Sequence, residues 1–289
     1  MASQVADYEI TGPAFDERVL PCLSARRPAR LGGGDATVWV LGPSARVPWD
    51  AARARLEAVA AVQSPQLPSW IEAGTGEWAQ RPVVWVSAAT KVAGTLASPP
   101  VGMSTADKLR AVAAAARAAH ALHERGQLHG AICPQAVALV SLQPNVSPSG
   151  FAEAPGAPAA APSNGALRGM LAPPSLADGR QPVAHVGYPP LGYADPQLLR
   201  GEGGRWSDIW GLGATVHQVV SGSPPFPGLE DLPVVQGLTR LLSVPSPSQQ
   251  QLPGQVATLV GACLSADPLD RPATAKDVAD QLEDAAARW

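Results

Sequence analysis

Over the first hundred residues, short apolar runs rich in β-branched side chains and bounded by Gly, Pro or polar clusters alternate with one helical stretch. Leu20 to Ser24, Thr37 to Leu41 and Val83 to Ser87 carry the pattern of strands. Between the second and third, Leu56, Val59 and Val62 recur on one helical face, and Asp50 stands where an N-cap would. These positions predict a small sheet with one helix. From Ser104 the period changes: Ser104 and Asp107 are spaced as a capping box, and Leu109, Val112, Ala116, Ala119 and His123 lead to a stop at Gly126. The stretch from about 141 to 174 has no periodicity and is rich in Ser, Ala, Gly and Pro, which predicts a mobile loop. Ser207 to Val220 reads as a buried helix closed by Gly222, Val256 to Leu264 as another, and Thr274 with Asp277 as the cap of a terminal helix.

Composition narrows the classes. With 289 residues, 46% of them hydrophobic, the chain has enough apolar material for a large core. A net charge of -3 with scattered Lys and Arg offers no basic stripe for nucleic acid. Cys22, Cys133 and Cys263 are far apart and form no CxxC pair, which suggests neither disulfides nor zinc and fits a cytoplasmic setting. No run reaches a membrane span, since the Ala-rich stretch near 115 carries Arg110, Arg117 and His120.

Four segments change the picture. The run from Ala119 to Val137, AHALHERGQLHGAICPQAV, resembles the helix and catalytic loop of Ser/Thr protein kinases, written HRDLKPEN in that family. Tyr193 to Gln197, YADPQ, resembles the APE segment. SDIWGLG from Ser207, followed by SGSPPF from Ser221, resembles the DxWSxG helix and the GxxPF turn. CLSADPLDRP from Cys263 resembles the closing segment with its structural arginine. Upstream, Tyr8 to Pro13 corresponds to the first strand, Ala36 to Leu41 to the VAIK strand, and the helix at 50 to 62 followed by Ser64 and Pro65 to helix C. The resemblance implies an α+β, bilobal protein-kinase-like fold in one domain spanning 1–289. Its small antiparallel-sheet lobe with helix C covers 1–90, a hinge 91–100, and a larger, mainly helical lobe 101–289 with a flexible insert at about 141–174.

It also implies where phosphoryl transfer would need its parts: a glycine cradle, a strand lysine paired with a helix-C glutamate, metal-binding Asp and Asn, and a proton-accepting Asp. The cradle position reads Ala14, Phe15, Asp16, Glu17, Arg18, while Gly32 to Gly34 precede a strand and read as a hairpin turn. The lysine maps onto Trp39, whose indole would fill nucleotide space, and the glutamate onto Arg55, with Glu57 one register away. In the loop His129 is kept, followed by Gly130 and by Ala131 at the base position; Cys133 replaces the lysine and Ala136 the metal-binding Asn. The DFG position falls on Ala172, followed by Pro173 and Pro174, or alternatively on Ser149 or Asp178; only Asp178 keeps a carboxylate.

The anchors point the other way. His129, Asp208, Gly211 and Arg271 are retained, and the glutamate that usually pairs with Arg271 maps onto Gln197, which implies a charged-neutral hydrogen bond in place of an ion pair. His120 and His123 lack a third ligand and read as structural, Cys133 as packed and inert, and the Asn145 sequon as unused. Trp70, Trp78 and Trp85 read as ordinary residues of half-buried strands, the alternative being that together they mark an aromatic lobe face. Ser147 and Ser149 are candidate phosphorylation positions in a loop read as a neutral insert. The expectation is a pseudokinase without cofactor or metal that binds a protein, such as an active kinase or its substrate, and not nucleic acid. The alternative is an atypical ATP-binding kinase or nucleotide transferase using Asp178, Glu17 or Asp16.

Overall fold

The computed structural model describes residues 4–15, 19–41, 48–141, 167–176, 189–229, 231–243 and 252–289. Six antiparallel strands form a first sheet: β1 (Gln4–Val5), β2 (Tyr8–Phe15), β3 (Cys22–Arg26), β4 (Asp35–Leu41), β5 (Trp70–Trp78) and β6 (Arg81–Ala88), in the order β1-β2-β3-β4-β6-β5. Gly32, Gly33 and Gly34 all have positive φ and turn the chain between β3 and β4, where Arg26 faces Asp35. Helix α1 (Trp49–Ala60) connects β4 to β5 and buries Ala52, Leu56 and Val59. Its N-cap position is Pro48, not Asp50. Asp50 lies in the first turn instead, where its charge meets the positive end of the helix.

Strand β5 is hidden in the sequence by Gly74 and Gly76, which the structure explains. The Trp85 indole from β6 lies across both, and a Cβ at Gly74 would fall 2.7 Å from it. Trp85 is buried with Tyr8, Val38 and Val40 in a second cluster, and Trp70 packs against the main core. Trp70 and Trp78 are half-buried and Trp85 is buried, the placement expected of half-buried strands.

A second antiparallel sheet has the order β7 (Val92–Thr95), β8 (Val137–Ser141), β9 (Leu167–Leu171). Residues 167–174, expected in the mobile loop, are thus strand and buried chain; Gly169 has no Cβ because the Ala111 carbonyl would lie 2.2 Å from one. The helices that follow are α2 (Thr105–His123), which packs against β8 and β9, α3 (Pro196–Leu199), α4 (Arg205–Ser221), α5 (Val234–Ser243), α6 (Gly254–Cys263) and α7 (Ala275–Ala287). Ser104 caps α2 by accepting the Asp107 N–H at 3.1 Å, Gly222 ends α4 at φ 78°, and Thr274 with Asp277 closes a capping box on α7. The architecture is mixed α and β. One continuous core joins the inner face of the first sheet (Trp39, Val86), α1 (Leu56), α2 (Leu109), the second sheet (Leu139, Leu171) and α4 (Leu212). Among the described residues no helix is long and apolar enough to cross a membrane.

Candidate functional site

The centre of the molecule is organised by a carboxylate on a buried helix. Asp208 of α4 accepts the His129 N–H at 2.9 Å, the Gly130 N–H at 2.8 Å and the His123 ring Nε2 at 2.8 Å. Gly130 reaches this geometry at φ 74°, a conformation that side chains disfavour. Burial alone would push Asp208 upward, yet the hydrogen bond and charge interaction with His123, together with those of His129, outweigh it and hold the carboxyl below its ordinary range. Gly211, one turn along α4, lets the loop press against the helix: a Cβ there would meet the Ile132 carbonyl at 2.5 Å.

His129 extends the hub. Its Nε2 donates to the Ala172 carbonyl at 3.0 Å while its Nδ1 accepts the Ala131 N–H at 3.3 Å, a pattern only a neutral imidazole protonated at Nε2 can make. Burial pushes its pKa down to about 4, against the opposing pull of Asp208. The Ala172 N–H returns to the Ala136 carbonyl at 2.8 Å and the Ser175 N–H to the His129 carbonyl at 2.9 Å. Residues 128–136 and 172–175 are thereby laced together, and Ala131, Cys133, Ala136 and Ala172 are buried within them. The methyl groups and the thiol pack.

Helix α1 joins this centre through Arg55, whose Nε donates to the Ser175 carbonyl at 2.6 Å and whose terminal nitrogen donates to the Leu128 carbonyl at 2.5 Å. Glu57 instead pairs on the surface with Arg53 at 2.7 Å. Trp39 is 1% exposed, faces Cys22 and Val86 across the sheet, and meets Trp70 edge-on at 5.8 Å. Two residues earlier, the Thr37 hydroxyl donates to the Thr90 carbonyl at 2.6 Å and accepts the Val92 N–H at 3.3 Å, stapling β4 to the crossing between the sheets. Asp16, Glu17, Arg18, Ser149 and Asp178 lie outside the described residues.

The expectation for Arg271 is corrected. It does not pair with Gln197; it forms a two-point ion pair with Asp195, 3.0 and 3.1 Å, and donates to the Ser265 and Trp206 carbonyls. Both side chains are at most 1% exposed, and the guanidinium lies 5.0 Å from the Trp210 ring centroid. Asp195 also accepts the Ser207 hydroxyl at 2.7 Å and caps α3 through the Gln197 N–H. Gln197 points to Arg200. The signal was present in the sequence: an Asp directly before a Pro is an N-cap followed by a favoured first helical residue. Nothing local announces the roles of Arg55 and Thr37, because their acceptors lie far away in the chain.

Chemically, the described centre offers a carboxylate already bonded by three donors, a neutral imidazole, a thiol and methyl groups. This set fixes loops. Among the described residues no group of three or more His, Cys, Asp or Glu is placed to hold a metal ion.

No protein-family model matches the chain. A stretch of 99 residues, 33% of the chain, is 33% identical to the serine/threonine-protein kinase PknK of Mycobacterium bovis, and a stretch of the same length is 32% identical to PknK of Mycobacterium tuberculosis. The match spans only 9% of those proteins' length. It supports a kinase-like relation for that third of the chain.

Proposed function

We propose that this protein is a kinase-like module without phosphoryl-transfer chemistry, a pseudokinase that acts as a protein-binding or regulatory scaffold in bacterial signalling, in the cytoplasm. On this reading the first sheet with α1 is the small lobe, to about residue 90, residues 91–100 are the hinge, and the remainder is the larger lobe. The observation that carries it is Trp39. Where a kinase would present a lysine to phosphate, an indole is buried at 1% exposure in a core continuous from the first sheet to α4. Ala131, Ala136 and Ala172 add no base or metal ligand, while the hub around Asp208 and the Arg271 pair keep the scaffold rigid.

The reading is tested by incubating the purified chain with labelled ATP, magnesium and a generic protein substrate, alongside a thermal-shift titration with ATP with and without magnesium. No label transfer and no shift up to millimolar nucleotide are expected, since a ligand of the native state must raise apparent stability. Transfer of label, or a magnesium-dependent shift lost on Asp178→Asn, overturns the proposal in favour of a nucleotide-using enzyme.

A further inference from the structure

The chain passes from the first sheet to the second through Ala89, Thr90 and Lys91 alone, between the end of β6 and the start of β7. A link so short would serve as a pivot if its backbone were free to change φ and ψ. It is held on both flanks instead. The Ala89 N–H donates to the Ser69 carbonyl at 3.0 Å on one side, and on the other the Thr37 hydroxyl takes both the Thr90 carbonyl and the Val92 N–H. Thr37 is 2% exposed, so water does not compete for these groups. Two further ties lie away from the crossing. The Leu171 N–H of β9 donates at 2.9 Å to the Gln66 carbonyl, in the connection between α1 and β5, and Arg55 of α1 reaches the Leu128 and Ser175 carbonyls.

We propose that these ties form a clamp, with Thr37 and Arg55 as its side-chain members, that fixes the first sheet and α1 against the rest of the molecule and stops the two parts from rotating about the crossing. The shared apolar core does not supply this by itself. Burial of apolar surface is non-directional and lets packed elements slide by small steps, whereas a hydrogen bond fixes an angle as well as a distance. A single tie leaves an axis to turn about; ties on β4, on α1 and on the connection that follows it leave none. The clamp goes beyond the pseudokinase reading and stands on the geometry whether or not the chain transfers phosphate. Joined to that reading, it means that a partner meets a surface of constant shape.

The test measures a spin-label distance in the full chain carrying Glu77→Cys on β5 and Asp284→Cys on α7, both at exposed positions, while Cys22, Cys133 and Cys263 are buried and leave the label to the new sites. The labelled parent should give one narrow distance distribution. Thr37→Val, which keeps the side-chain shape and removes the hydroxyl, should widen it at least twofold, and Thr37→Ser should restore the parent width. Arg55→Met, which removes the donors of the second tie, should widen it by a similar factor. Three results overturn the proposal: a broad distribution in the parent, an unchanged width in Thr37→Val or Arg55→Met, or a Thr37→Ser variant as wide as Thr37→Val, which would assign the effect to packing and not to the hydroxyl. If Thr37→Val does not fold by circular dichroism, Arg55→Met decides alone. A parent that transfers label from ATP yet gives one narrow distance loses its pseudokinase reading and keeps its clamp, and one that transfers none but gives a broad distribution does the reverse.

Discussion

At the residue scale the centre depends on protonation states that burial has fixed. An unfolded histidine titrates near 6.5, whereas His129 is held at about 4, so between those values the unfolded chain takes up a proton that the folded chain refuses. Stability must therefore fall as pH drops through that window, by on the order of 3 kcal/mol at about 1.4 kcal/mol per pH unit. Chemical-denaturation curves at pH 7, 6, 5 and 4 should show it, with a shallower fall in His129→Gln. Asp208 adds to the loss further down, since its folded pKa lies below the unfolded one and its contribution disappears as pH falls through the folded value. The Arg271 pair gives a second contrast. Asp195→Asn leaves a buried guanidinium without its counter-charge and should cost about 3–5 kcal/mol, whereas Gln197→Ala, at a position that does not touch Arg271, should stay within about 0.5 kcal/mol. Equal costs for the two variants in urea melts would refute the assignment of the partner.

At the element scale, close approach and long-range hydrogen bonds set the positions that periodicity leaves open. Gly211 admits the Ile132 carbonyl against α4, so Gly211→Ala must push the loop away and should destabilise by about 1–3 kcal/mol, read from the denaturation midpoint. A neutral result would mean that the loop yields without strain. Helix α1 is tied down by Arg55 through two backbone carbonyls of the central loops. Arg55→Met keeps the apolar stem and removes both donors. It should speed amide exchange along α1 and around Leu128 and Ser175 while leaving α6 and α7 unchanged, whereas a merely structural loss would raise exchange everywhere. The helices α2, α4 and α7 need no such ties to be found, because their caps and apolar faces are written locally.

At the scale of the whole molecule, one core passes from the first sheet through the second sheet into α4, so the two parts share their hydrophobic stabilisation. Thermal unfolding followed by far-UV and near-UV circular dichroism should give coincident transitions, and two separated transitions would show that the parts are independent. The sequence alone determined the strands β3, β4 and β6, the long helices with their caps, and the hub residues His129 and Asp208, because each depends on short-range period or on a motif in consecutive residues. Tertiary structure decided the rest. It placed β5 beneath the Trp85 indole despite two glycines, moved the partner of Arg271 from Gln197 to Asp195, and sent Arg55 to carbonyls 73 and 120 residues away. In each case the deciding partner lies far along the chain or above the plane of a sheet, where spacing in the sequence carries no information about distance.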